Sequence, residues 1–140
     1  MPASDRRGLV PYARASMNPR LWILLGCVWA ALGVGLGAFG AHALRAALTA
    51  HSTLDVWETA VRYQLVHALA LIAFGLFSER TRGGDYPGLL FLFGSFFFSG
   101  SLYALAFETW KGLMGPLTPL GGVLMILGWL GFAREALRRR

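Results

Sequence analysis

Charge is what this chain has least of. Only 14% of its 140 residues are Asp, Glu, Lys or Arg, where a soluble domain carries roughly 25%. Too few charges are present to cover a globule with a water-facing surface. Cysteine is nearly absent as well: Cys27 stands alone, which excludes an intrachain disulfide and any cysteine-rich metal site. Acidic residues number seven, and none falls within Leu21–Leu44. That removes the carboxylate a small proton-coupled exporter would need in its first span. No carboxylate cluster, Ser-His-Asp set or metal-ligand spacing occurs either, so no catalytic residue, metal or cofactor is expected.

What fills the chain instead is apolar. Hydrophobic residues make up 56% of it, and the mean hydropathy is +0.53. Leu21–Leu44, Tyr86–Phe107 and Gly112–Ala133 are free of charge, and each supplies the ~20 apolar residues that cross a bilayer as a helix. A fourth run, Tyr63–Ser78, is shorter and must begin upstream in "DVWETAVRYQ", which leaves Glu58 and Arg62 at its edge. The fold class predicted is all-α, an integral membrane four-helix bundle with spans at about 21–43, 56–78, 86–107 and 113–133. These form one transmembrane domain, 20–133, between a flexible basic arm, 1–19, and a basic tail, 134–140. The first run exceeds the 7–15 residues of a cleavable signal core, so it is expected to stay as a span.

Basic residues set the orientation, because positive charge is retained on the cytoplasmic side. Arg6, Arg7, Arg14, Arg20, Arg80, Arg82, Arg134, Arg138, Arg139 and Arg140 fall on one side of the four spans; Arg45, Arg62 and Lys111 fall on the other. Both termini are therefore expected in the cytoplasm, with the chain multi-pass in the inner (plasma) membrane. Trp22, Tyr86 and Trp129 then lie near the inner boundary and Trp57 and Trp110 near the outer one, as amphipathic rings favour. The net charge of +6 sits beside spans and carries no nucleic-acid motif, so its expected partners are anionic lipid headgroups.

Smaller features follow. "ALRAALTAHST", Ala43–Thr53, reads as a short surface helix, and Asp55 with Glu58 has capping-box spacing for the second span. "SERTRGGDYPG" is loop, and "ETWKG" is a shorter one, so spans two, three and four should be antiparallel neighbours. Gly33, Gly37 and Ala41, extended by Gly26 and Ala30, form a small-residue stripe suited to close helix packing, within the chain or between copies.

Levelling antiparallel spans at ~1.5 Å per residue gathers the polar residues in the outer half. His67, Gln64, Ser95 and Ser99 share the middle third with Gly33 and Gly121–Gly122; Arg62, Tyr63, Tyr103 and Thr118 form a layer above, topped by His42, Glu58 and Glu108. The candidate binding cluster is therefore His42, Arg62, Tyr63, Gln64, His67, Ser99, Tyr103 and Thr118. Arg62 requires a partner, Glu58 or Glu108, and its two readings are an interfacial ion pair and a ligand contact. For His67 they are a neutral imidazole bonded to Ser95 or Ser99, and a proton relay or ligand contact. A depth difference of about 15 Å between His42 and His67 argues against haem held by the pair, and His51 is placed outside the spans.

Four ordered segments, "GAFGAHAL" (Gly37–Leu44), "WETAVRYQLVHALAL" (Trp57–Leu71), "FSGSLYAL" (Phe98–Leu105) and "TPLGGVLMILGW" (Thr118–Trp129), resemble the signatures of a YgdD-like family of small four-span membrane proteins of unknown function. That family also includes a small vertebrate transmembrane protein. The resemblance covers roughly Leu21–Ala133 and implies four membrane helices without a known activity. It makes His42, Tyr63, Gln64, His67, Ser99, Ser101, Tyr103, Thr118 and Pro119 motif positions, with no role to carry over. The function expected is a noncatalytic accessory or assembly subunit of a larger membrane complex, with homo-oligomers also possible as partners. The alternative is a small transporter or ligand-binding protein with a polar pocket in the outer half of the bundle; a redox role stands third.

Overall fold

Proline opens the first span. Pro19 sits at the first helical position, where its missing N–H leaves no acceptor unpaired, and the Asn18 side chain accepts the Arg20 N–H at 3.0 Å. The computed structural model describes residues 17–79 and 84–138. Five helices follow in order: α1 Pro19–Ala41, α2 Arg45–Ala50, α3 Leu54–Glu79, α4 Tyr86–Ala106 and α5 Lys111–Leu137. The four long ones have 21 to 27 residues, about 30–40 Å at 1.5 Å per residue, enough for a hydrocarbon core of about 30 Å. All four are apolar enough to cross a membrane, and the fold is a four-helix membrane bundle. Arg6, Arg7, Arg14, Arg80, Arg82, Arg139 and Arg140, which carry most of the charge asymmetry, lie outside the described residues, as do most of the N-terminal arm and of the loop before α4.

α1 packs on α3, α3 on α4, and α4 on α5. The buried seam of α1 runs through Trp22, Gly26, Gly33 and Gly40, with Trp29 and Leu36 half-buried between them; that of α3 runs through Trp57, Ala60, Gln64, His67, Leu71 and Phe74. Both alternate steps of three and four residues, the 3.5-residue period of helices that wrap around one another. The small residues buried against α3 are thus Gly26, Gly33 and Gly40, seven apart, while Gly37 stands at the edge of the seam beside Val61 and Ala41 is exposed. The expected stripe of four-residue steps drifts off the seam because 3.6 residues make a turn. A Cβ on Gly26 would stand 2.8 Å from the Ala68 carbonyl oxygen, and one on Gly40 would run into the Trp57 indole. The tightest approach of backbone to backbone joins α4 to α5, where a Cβ on Gly121 would meet the Phe98 nitrogen at 2.5 Å and the Gly94 oxygen at 2.7 Å.

Two of the tryptophans expected near the membrane boundaries are buried between helices. Trp22 is fully buried; its Nε1 donates to Asp85 Oδ1 at 3.1 Å, and the Met17 N–H donates to Asp85 Oδ2 at 2.6 Å. The carboxylate just before α4 thereby ties down the start of α1. Trp57 is also buried, its Nε1 donating to the Leu36 carbonyl at 3.0 Å. An indole between helices gains packing area as long as its one N–H finds an acceptor. Both do.

At the opposite end of the bundle, which we call the α2 end, α2 closes over the spans. Leu48 is fully buried against Trp57 and Ala106, and Thr53 Oγ1 donates to the Ala106 carbonyl at 2.8 Å. The helix is therefore a plug as well as a surface element. α3 begins at Leu54, and the Thr53 carbonyl accepts the Trp57 N–H. Asp55 accordingly lies inside the first turn rather than capping it, where its charge still suits the helix dipole. Glu108 and Trp110 take φ values of 58° and 49° in the tight turn from α4 to α5, a left-handed conformation that makes the reversal short.

Candidate functional site

Lipid offers polar side chains no partner, so each one inside the bundle must find its own. Gln64 is fully buried on α3 and reaches two other spans: its Nε2 donates to the Trp29 carbonyl of α1 at 3.0 Å, and its Oε1 accepts the Tyr103 hydroxyl of α4 at 2.8 Å. The Trp29 indole donates to Ser95 Oγ at 3.0 Å, and Ser95 donates to the Phe91 carbonyl at 2.8 Å. Ser99, also fully buried, donates to the Ala60 carbonyl at 2.9 Å. Ser101 and Thr118 share a hydrogen bond of 2.7 Å that joins α4 to α5. Neutral bonds thus link α1, α3 and α4 through Trp29, Gln64, Ser95 and Tyr103, and a separate pair joins α4 to α5.

His67 belongs to a second arrangement. Its Nδ1 lies 2.8 Å from the Tyr63 carbonyl, and its Nε2 lies 3.3 Å from the Trp129 indole nitrogen. A carbonyl only accepts and an indole N–H only donates, so the proton sits on Nδ1 and the ring is neutral. The predicted partners Ser95 and Ser99 are not used; both bond elsewhere. Trp129 packs edge-on to the imidazole and Phe91 at a tilt, and Tyr63 stacks parallel to it at 6.1 Å. Tyr63 is itself 41% exposed, with its ring 4.5 Å from that of Phe98.

The candidate residues therefore separate into three places. Gln64 and Tyr103 meet directly, Ser99 is buried on α4 against the Ala60 carbonyl, and Thr118 of α5 bonds Ser101; His67 turns toward α5. Arg62 and His42 are exposed at the α2 end, His42 as the C-cap residue of α1. Neither expected carboxylate pairs with Arg62. Glu108 bonds Lys111 at 2.7 Å, both side chains more than half exposed, and that bond and charge hold the Glu108 carboxyl below the ordinary value of 4.5. Glu58 lies in the same groove as Arg62 without an ion pair among the described residues.

Sequence reasoning missed the indole donors. Trp29 lies near the middle of its span, where an N–H has no water, and that depth alone signals a buried acceptor; Trp129 was levelled at the membrane boundary, yet it bonds His67. Among the described residues no buried side-chain nitrogen or oxygen lacks a partner, and no three His, Cys, Asp or Glu converge as metal ligands. Chemically, the interior is suited to holding helices in register.

Against known proteins, a family described as a protein of unknown function, DUF423, matches residues 36–122. The chain is 48% identical over 112 residues to a UPF0382 membrane protein of Staphylococcus saprophyticus, covering 79% of this chain and 92% of the relative. It is 46% identical to one of Staphylococcus aureus strain bovine RF122, over 79% and 90%. Over 79% and 91% it is 41% identical to the UPF0382 membrane protein YwdK of Bacillus subtilis. No solved structure matches.

Proposed function

The chain belongs to the DUF423 family of unknown function, a multi-pass membrane protein among membrane proteins, and from that premise we propose that it serves as a noncatalytic accessory or assembly subunit of a larger complex. In this reading it lies in the inner (plasma) membrane with both termini cytoplasmic. One observation carries it: the polar side chains of the described interior are engaged with one another or with helix carbonyls, which leaves no buried group available to a substrate. What the molecule offers outward is apolar helix surface. Leu24, Val28 and Leu32 on α1 and Val123, Ile126 and Leu130 on α5 are all half-exposed or more.

The transporter alternative draws on Gln64, His67, Arg62 and Tyr103. Three of these four direct their polar atoms into protein bonds, which weighs toward the first reading. A photo-crosslinking residue at Leu24 or at Leu130, followed by mild extraction and mass spectrometry, tests the subunit role. The expected outcome is a covalent adduct to a different membrane protein from at least one position. A chain that crosslinks only to lipid or to itself removes the support.

A further inference from the structure

At the α2 end a groove of about 310 Å³ opens between α1 and α3. Its floor is apolar, built on Gly37, Val61 and Leu65, and its rim carries Arg45 of α2 and Glu58 and Arg62 of α3. All three rim side chains are exposed, and among the described residues neither arginine makes an ion pair. Arg62 stands eight residues beyond the start of α3, about 12 Å along its axis, at the edge of the apolar run that begins at Tyr63. A guanidinium there is costly unless an anion meets it. Glu58 offsets one of the two positive charges, and one remains.

We propose that this groove holds one anionic glycerophospholipid, its phosphodiester between Arg45 and Arg62 and an acyl chain along the Gly37–Leu65 floor. The guanidinium fork matches phosphate oxygens in pairs. A single negative charge balances the rim, while Glu58 repels a headgroup that carries two. The depth of Arg62 favours a lipid over a soluble anion, because a lipid brings its phosphate to the level of the hydrocarbon boundary. The lining of the groove is distinct from the described basic residues Arg20, Arg134 and Arg138 and from the interior hydrogen-bonded residues, and the site goes beyond the subunit reading.

The full chain reconstituted in bilayers of equal phosphatidylglycerol and phosphatidylcholine, then released in mild detergent for native mass spectrometry, tests the site. Wild-type protein should retain phosphatidylglycerol in clear excess over phosphatidylcholine. The Arg45→Ala, Arg62→Ala double variant should lose roughly 30-fold in retention, two arginines near the headgroup level contributing about a factor of 5.4 each. Lys111→Ala, a cation at the same end but outside the groove, should retain the lipid as wild type does. Retained lipid that mirrors the bilayer mixture overturns the proposal. So does a double variant that keeps its phosphatidylglycerol, or displacement of that lipid by inorganic phosphate alone. Should the double variant not fold, the wild-type lipid ratio decides the matter.

Discussion

His67 shows how a titratable residue can be occupied without being active. Its ring is held between a carbonyl and an indole N–H, so nitrogen-15 NMR at neutral pH should find a protonated Nδ1 and an unprotonated Nε2. Trp129→Phe should move only the Nε2 signal strongly; a ring protonated at Nε2 would contradict the assignment. Gln64 and Tyr103 share the interior bond most open to measurement. A double-mutant cycle with Gln64→Leu and Tyr103→Phe, read by unfolding in mixed micelles, should give a coupling of about 0.6–1.7 kcal/mol, the range of interhelical hydrogen bonds in membranes. Glu108 lies outside the spans and can be titrated directly. Lys111 holds its carboxyl below 4.5, so the pair persists above that pH and is lost as pH falls through the lowered value; Lys111→Met should return the carboxyl to the ordinary range. At this scale sequence identified the polar residues but not their partners. Levelling by depth brought Gln64 near Tyr103, yet the rotation of each helix about its axis decides which side chains touch. One residue of phase separates His67, which faces α5, from its lipid-facing neighbour Val66.

Helices in this protein are held by what they lack. Gly121 brings the α4 backbone so near that a methyl has no place, and Gly121→Ala should destabilise by about 1–3 kcal/mol, as overpacking does. Gly35→Ala and Gly100→Ala, where a Cβ meets nothing within 4 Å, should be neutral or slightly stabilising in the same assay. A gain at Gly121→Ala equal to that at the other two positions would show that helix propensity, not the close approach, governs. The spans themselves were legible because charge-free runs of ~20 residues have one stable solution in lipid. Finer points were not. The span start at Leu54 depends on Thr53 bonding across to Ala106, and the burial of Trp22 depends on Asp85, 63 residues away. Such long-range contacts leave no local spacing to read.

Across the described molecule, α3 and α4 form the centre and α1 and α5 its flanks, and neutral hydrogen bonds occupy the polar side chains of the interior. Tags at the two ends should report the same, cytoplasmic, face of the membrane; opposite faces would undo the orientation proposed from the arginines. The account rests most directly on the dryness of that interior. In a Cys27→Ser background, Ser99→Cys places a thiol of nearly the same size at a fully buried position, with Lys111→Cys as an exposed reference. In native membranes, maleimide reagents of both permeant and impermeant kinds should label position 111 and leave position 99 unreacted until the protein is unfolded in SDS. Reaction of the position 99 thiol in the folded protein would reveal a water-filled path through the bundle and contradict the account.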